Sequence, residues 1–294
     1  MPEPDVSPRR LVPARPMAEA ESASFGPRIA WRLVAGGALF VIVLAGLYLV
    51  QQNRKLEALR SQLLDVHQRV LADPVRHHTE FRRELESLIS KAAASAPAEF
   101  TDPRLHLPGL HAGKGLYLRL PATSAADPEA IELAARSSGP DAIPSCLGLA
   151  PSAANTLWNK GGFLRPEWAE EVRKQDKLMA LRLTETVLSR QMRVDLPELV
   201  ALTRSDWFLL VLEQGPSRRE TPVDVFLWDL RRKQPLLSGR FQGEGVMLQG
   251  RVTSKDAPPS PRLQPQPKES VVAADCSIAT QVKQRTEAPP AASL

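Results

Sequence analysis

An uninterrupted apolar run from Leu33 to Val50 is the strongest pattern in the chain, and it contains no charged residue. As a helix rising about 1.5 Å per residue, it spans roughly 27 Å, which covers most of the hydrocarbon core of a bilayer. Trp31 and Tyr48 stand near its ends, where amphipathic rings favour the membrane interface. We therefore predict a single transmembrane helix over residues 29–52.

A cleaved signal peptide is the alternative interpretation of this run. Signal peptides have a short apolar core, about 7–15 residues long, followed by a small-x-small cleavage site. Here the sequence after the run is Gln-Gln-Asn, which does not provide such a site. The pattern favours an uncleaved signal-anchor.

Basic residues on the two sides of the anchor indicate its orientation. Positive charge is retained on the cytoplasmic side. The residues before the apolar run include Arg9, Arg10, Arg15, Arg28 and Arg32. Those after it include Arg54, Lys55, Arg60 and Arg69. The bias predicts a cytoplasmic N-terminus and an extracytoplasmic C-terminal part. Arginine preference with abundant alanine and proline is typical of a GC-rich bacterium, so this part is predicted to be periplasmic, with the anchor in the inner membrane.

A short heptad pattern follows the anchor directly. Its apolar positions are three and four residues apart, and they are Leu56, Leu59, Leu63, Val66 and Val70. A second amphipathic segment follows Asp73-Pro74 and carries Phe81, Leu85 and Leu88. We predict a helical stalk over residues 53–95. Its apolar stripe is either a dimerisation interface (a short coiled coil) or a surface that packs on the protein's own domain or on another membrane protein.

Residues 108–254 carry the pattern of a small α+β domain. Gly115–Pro121 is predicted to be a strand, and Asp127-Pro128 is a helix start, with Asp127 as the N-cap and a helix that reaches Ser137. The longest soluble helix is predicted to begin at Pro166. Its apolar row comprises Trp168, Val172, Met179, Leu183 and Val187. A row this wide needs a sheet or another helix to cover it.

The second half of this domain is predicted to be an antiparallel meander. Residues 206–213 are almost continuously apolar, which is typical of a central strand. Further strands are predicted at Val223–Leu230, Leu236–Gln242 and Val246–Val252. The fold class is therefore α+β, with a largely antiparallel sheet. The terminal segments, residues 1–28 and 255–294, are rich in proline and polar residues and are predicted to be disordered.

The two cysteines, Cys146 and Cys276, allow one intramolecular pairing. An oxidising compartment would favour a disulfide between them. Two unpaired thiols are the alternative, because Cys276 lies in the predicted disordered tail.

No pattern for catalysis, metal or cofactor binding is present. His77 and His78 are adjacent, so on a helix they point about 100° apart and cannot easily share a metal ion. Gly113-Lys114-Gly115 lacks the spacing of a P-loop. Four tryptophans either line a carbohydrate or peptide groove or build the core: Trp158, Trp168, Trp207 and Trp228. We predict no catalytic, cofactor-binding or metal-binding residue.

The predicted function is protein–protein interaction. A net charge of +5 from scattered basic residues gives no basic stripe for nucleic acid. The chain is expected to be a non-enzymatic component of a larger assembly, in contact with the lipid bilayer, with other membrane or envelope proteins, and with itself through the stalk. The alternative is a membrane-tethered enzyme or ligand-binding domain whose site no motif reveals.

Overall fold

The computed structural model describes residues 27–215, 220–243 and 267–287. These residues form two compact units, which divide between Arg54 and Lys55. Nearly all of the predicted N-terminal tail and the predicted strand Val246–Val252 lie outside the described residues.

The first unit consists of the beginning of helix α1, which runs from Pro27 to Asp65. From Val34 this helix is long and apolar enough to cross a membrane, with a mean hydropathy of 2.2, and none of its apolar window is buried. Large side chains such as Phe40, Ile42 and Leu47 are more than half exposed. An apolar helix without a protein partner is suited to a lipid environment.

The second unit is built around one six-stranded mixed sheet with the strand order β1-β6-β5-β4-β2-β3. The strands are β1 (Phe100–Thr101), β2 (Gly115–Pro121), β3 (Ser152–Ala153), β4 (Trp207–Glu213), β5 (Val223–Asp229) and β6 (Gln234–Phe241). The α+β class and the antiparallel meander β4-β5-β6 are confirmed, and β4 lies inside the sheet as its continuous apolar sequence predicts.

The prediction of a largely antiparallel sheet needs correction at β2. This strand pairs in parallel with β4 on one side and with β3 on the other. Between β2 and β4 the chain forms several helices and returns to the same end of the sheet, and a long crossover of this kind permits parallel pairing. The sequence pattern predicts β2 and β4 as strands but carries no information about their relative direction, and it does not predict the short strands β1 and β3.

The described residues form nine α-helices. After α1 they are α2 (Ala72–Ala94), α3 (Leu107–Leu110), α4 (Pro128–Ser137), α5 (Ile143–Leu147), α6 (Thr156–Lys160), α7 (Pro166–Lys174), α8 (Leu178–Leu202) and α9 (Pro267–Glu287). Helix α4 has the predicted bounds, and the Asp127 carboxylate accepts hydrogen bonds from the backbone N–H groups of Glu129 and Ala130, as an N-cap does.

Each face of the sheet buries a separate apolar cluster. The first contains Leu118, Phe208 and Leu210 of the strands together with residues of α2, α4, α6, α7 and α8. The second contains Leu209 and Leu227 with residues of α5 and α9. Alternate side chains of β4 enter opposite clusters, which explains why its sequence is apolar without interruption.

The described residues show no separate helical stalk. Leu63 is buried in the first cluster, and Leu56, Leu59 and Val66 pack against it, whereas Val70 is 58% exposed. In α2, Leu85 and Ile89 are fully buried in the same cluster. The heptad stripe therefore packs on the protein's own domain, which is one of the interpretations that the sequence leaves open.

The predicted long helix from Pro166 is two helices in the structure. Helix α7 ends at Lys174, and α8 begins at Leu178 after an extended Gln175 and Lys177. Residues 174–177 are all polar and offer no apolar side chain for packing. The break separates Trp168 and Val172, which pack on the core, from Met179 and Leu183, which are exposed.

The predicted disorder of residues 255–294 is wrong over residues 267–287, which form α9. Four small or β-branched side chains of α9 are buried on the second cluster or beside it: Ala274, Ile278, Ala279 and Val282. Their spacing of four, one and three residues is helical. The prediction of disorder rests on the composition of the whole tail, which the proline-rich segment before α9 dominates, so it misses this short helical spacing.

Candidate docking surface and buried charge cluster

Helix α8 presents an apolar row to solvent. Met179, Leu183, Val187 and Val194 are 74%, 66%, 44% and 59% exposed. They are four, four and seven residues apart, so they lie on one side of the helix. The opposite side carries Leu181, Leu188 and Leu199, which are buried. Helix α8 is thus apolar on two sides, and only one of them is buried in the first cluster.

A groove lies beside this row, between α8 and the segment that leads into α7. Its volume is about 400 Å³, and Phe163, Trp168, Leu183 and Val187 form its apolar lining. Arg136, Arg165 and Glu171 are the charged residues at the groove. Single exposed apolar residues are common in soluble proteins, whereas a row with an adjoining groove is a candidate interaction surface. We name the row, with the arginines Arg182, Arg190 and Arg193, the α8 surface.

A second feature is a buried charge cluster centred on Arg119 of β2. The guanidinium of Arg119 donates to Asp141 at 2.8 Å, to Asp275 at 3.0 Å and to Glu213 at 2.6 Å. Arg119, Asp141 and Asp275 are almost fully buried. An ionised group in such a place is tolerated only with close partners of opposite charge. The cluster joins four parts of the chain: β2, β4, the segment before α5, and α9.

The two aspartates of this cluster are held by further hydrogen bonds. The backbone N–H of Ala142 donates to Asp275, and that of Ile143 donates to Asp141. The Tyr117 hydroxyl also donates to Asp141. Burial, together with the negative charge of Asp141, raises the pKa of Tyr117 well above its ordinary value, so Tyr117 is a neutral donor at physiological pH. Both carboxylates are therefore engaged in ion pairs and hydrogen bonds that hold the fold together.

A pocket of about 340 Å³ opens above Tyr117 and Asp141. Ser138, Pro144 and Asn155 are among its other lining residues. The size lies at the lower end of the range of small-molecule sites.

The disulfide between Cys146 and Cys276 lies next to the charge cluster. It joins α5 to α9, with Cα atoms 5.2 Å apart. Cys276 follows Asp275 directly, so one turn of α9 supplies both the covalent link and the buried carboxylate. Helix α9 is thereby fixed over the second cluster.

His78 is buried on the other side of the sheet. Its Nε2 atom lies 3.2 Å from the carbonyl oxygen of Leu157. A Cβ atom at Gly161 would come within 2.4 Å of this ring, so the site requires glycine. Burial lowers the pKa of His78, and the nearby positive charges of Arg82 and Arg165 act in the same direction. The imidazole is therefore neutral and structural.

The remaining candidates from the sequence do not meet in one site. Trp158 and Trp207 are buried, and they lie in different clusters on opposite faces of the sheet. Trp168 and Trp228 pack against the first cluster, so no groove unites the four. Among the described residues, no group of three or more His, Cys, Asp or Glu side chains is placed to hold a metal ion.

Sequence analysis missed Arg119 and the outward side of α8. A signal for Arg119 exists, because a single arginine interrupts the apolar strand Leu116-Tyr-Leu-Arg-Leu120. No match is found when the chain is compared with models of protein families, with curated proteins or with solved structures.

Proposed function

We propose that this chain is a single-pass, membrane-anchored envelope protein without enzymatic activity, and that its folded domain docks another protein of a larger assembly through the α8 surface. The observation that carries the proposal is the exposure of Met179, Leu183, Val187 and Val194 on a helix whose other side belongs to the core. Burial of such a row against a partner is favourable by about 25 cal/mol per Å² of apolar area removed from water.

The domain lies outside the cytoplasm in this proposal, with the N-terminus inside and the anchor in a bacterial inner membrane. The Cys146–Cys276 disulfide supports this placement, because disulfides persist in oxidising compartments such as the periplasm. The excess of arginine before the anchor acts in the same direction. A reporter fused after Val252 is expected to be active only if the reporter works outside the cytoplasm. Activity of a cytoplasm-only reporter would reverse the orientation.

Site-specific photo-crosslinking in native membranes tests the docking surface. A photoreactive residue at Leu183 is expected to give a discrete adduct with another protein. Leu133 of α4 is the matched control, because it is also an exposed leucine, at 74%, and lies outside α8. The same adducts from both positions, or none from either, would contradict docking through α8.

Ligand binding is the second candidate function, and the pocket above Tyr117 and Asp141 is the observation that favours it. Thermal unfolding of the full chain with a panel of small ligands tests this candidate. A ligand that raises the unfolding temperature of the wild type, but not that of an Asn155→Leu variant, would support binding in this pocket. Asn155 lines the pocket and is half-buried, and a larger apolar side chain there would obstruct it.

A further inference from the structure

The charges around the exposed row of α8 are predominantly positive, since Glu171 at the groove and Glu198 beyond Val194 are outnumbered by arginines. Arg182, Arg190 and Arg193 are exposed, and no acidic side chain among the described residues lies within ion-pair distance of them. Arg190 lies within the row, three residues after Val187 and four before Val194. Arg182 and Arg193 are eleven residues apart, or about three turns, so they follow one edge of the row.

Glu185 is the acidic residue between Met179 and Val194. It is two residues from both Leu183 and Val187, so it lies off the row, and although it is three residues after Arg182, the two side chains form no ion pair. A partner that covers the row therefore meets apolar side chains and uncompensated positive charge together. It must present an apolar stripe with carboxylates beside it.

We propose that the α8 surface binds an acidic amphipathic helix of another protein, an inference that rests on the proposed docking function. From Met179 to Val194 the row spans fifteen residue steps, or roughly 22 Å. This length matches about four turns of a partner helix. The partner's apolar positions, three and four residues apart, pack on the row, and its glutamates or aspartates pair with Arg182, Arg190 and Arg193.

A second copy of this chain does not satisfy the same requirement. If two α8 surfaces faced each other, the three arginines of one copy would approach those of the other. Like charges at an interface are unfavourable and suppress such pairings. Charge complementarity thus favours a different, acidic chain over self-association through α8.

The test uses the full chain in phosphatidylcholine nanodiscs and two labelled synthetic helices. Both probe peptides carry the same leucine stripe, with glutamates on the flanking positions of one and lysines on those of the other. Fluorescence anisotropy measures their binding, with empty nanodiscs as the blank. The wild type is expected to bind the glutamate peptide saturably and to discriminate against the lysine peptide by at least about tenfold.

Charge-reversed variants locate the binding. The double substitution Arg190→Glu with Arg193→Glu is expected to lower the affinity for the glutamate peptide at least about tenfold and to raise the affinity for the lysine peptide. Lys91→Glu is the matched control, since Lys91 is an exposed cation on α2, and it is expected to leave both affinities unchanged. Retained tryptophan fluorescence shows that each variant is folded.

Four outcomes would overturn the proposal. The first is equal binding of the glutamate peptide by the wild type and the double variant. The second is absence of peptide binding while the same arginines attach the nanodiscs to phosphatidylglycerol vesicles, which would make an anionic membrane the occupant. The third is a photo-adduct from Leu183 to a second copy of this chain. The fourth, a hetero-adduct from Leu183 without peptide discrimination, would leave docking intact and reject the acidic partner.

Discussion

Arg119 of β2 and Asp275 of α9 are 156 residues apart in the sequence, yet Arg119 Nη1 donates to Asp275 Oδ1 at 3.0 Å. Both side chains are almost fully buried. The contact explains how α9, which follows a proline-rich segment, belongs to the folded domain. It provides a specific polar anchor beside the Cys146–Cys276 disulfide, while Ile278 and Val282 contribute apolar burial.

Arg119→Met is expected to destabilise the domain by about 3–5 kcal/mol, because it leaves two buried aspartates without their cation. Chemical unfolding of the full chain in neutral detergent, followed by tryptophan fluorescence, measures the change. Arg76→Met is the control, since the Arg76–Asp73 pair is well exposed and is worth at most about 1 kcal/mol. An equal loss in the free energy of unfolding from the two substitutions would show that the Arg119 cluster is not a buried charge site.

Removal of the disulfide by Cys146→Ala with Cys276→Ala is expected to lower the free energy of unfolding by about 4–5 kcal/mol. The loop that it closes spans a sequence separation of 130 residues, and loop entropy sets this magnitude. Limited proteolysis should then cut within α9 while the β4-β5-β6 meander stays protected. Unchanged protection of α9 would mean that its packing and the Asp275 contact are sufficient.

Thiol alkylation in intact cells tests the compartment of the domain. Cys146 and Cys276 are expected to react only after reduction, because the extracytoplasmic space is oxidising. A Cys146→Ala variant is the control, and its single Cys276 should react without reductant once the protein is unfolded. Alkylation of both wild-type thiols in unfolded but unreduced samples would indicate a reducing compartment.

His78 is expected to make the domain less stable below about pH 6.5. Burial lowers its pKa in the folded state, so as the pH falls the unfolded state binds the proton first and is favoured. Glutamine in His78→Gln keeps a donor near the Leu157 carbonyl but does not titrate. The variant should therefore lose less stability than the wild type as the pH falls below about 6.5. Unfolding midpoints at about pH 7.5 and about pH 5.5 measure the effect. An equal loss of stability between the two pH values in the wild type and the variant would exclude His78 as the cause of the pH dependence.

Leu181 and Leu183 form a matched pair for the two sides of α8, since they are 0% and 66% exposed. Leu181→Ala is expected to cost about 2–5 kcal/mol, because it leaves a cavity in the first cluster. Leu183→Ala is expected to change stability by at most about 0.5 kcal/mol. Chemical unfolding measures both. A comparable cost at Leu183 would mean that this residue belongs to the core and is not available for docking.

Local patterns in the sequence predict most of the individual elements. An apolar run interrupted by Arg119 gives β2, and a continuous one gives β4. Asp127-Pro128 gives the start of α4, and the charge-free run from Leu33 gives the helix that is long and apolar enough to span a membrane. Each of these signals lies within a few consecutive residues, where helical or strand periodicity is visible. The count of two cysteines leaves one possible pairing, but the sequence does not decide between a disulfide and two unpaired thiols.

Relations between distant residues could not be predicted in this way. The parallel pairing of β2 with β4 depends on the path of the intervening helices. The same heptad stripe at Leu56, Leu59 and Leu63 suits a coiled coil or an intramolecular contact, and the choice depends on which other apolar surface is near. The break between Lys174 and Leu178 divides one apolar row into a core half and an exposed half, and no proline or glycine marks it.

Co-purification from native membranes tests docking through α8 most directly. Membranes that contain the wild type, Leu183→Asp or Leu133→Asp are cross-linked, solubilised in mild detergent and analysed by mass spectrometry. The account predicts a reproducible partner with the wild type and Leu133→Asp, and its loss with Leu183→Asp while the variant stays folded. Retention of the same partner by Leu183→Asp, or the absence of any partner with the wild type, would contradict the α8 surface as the docking site.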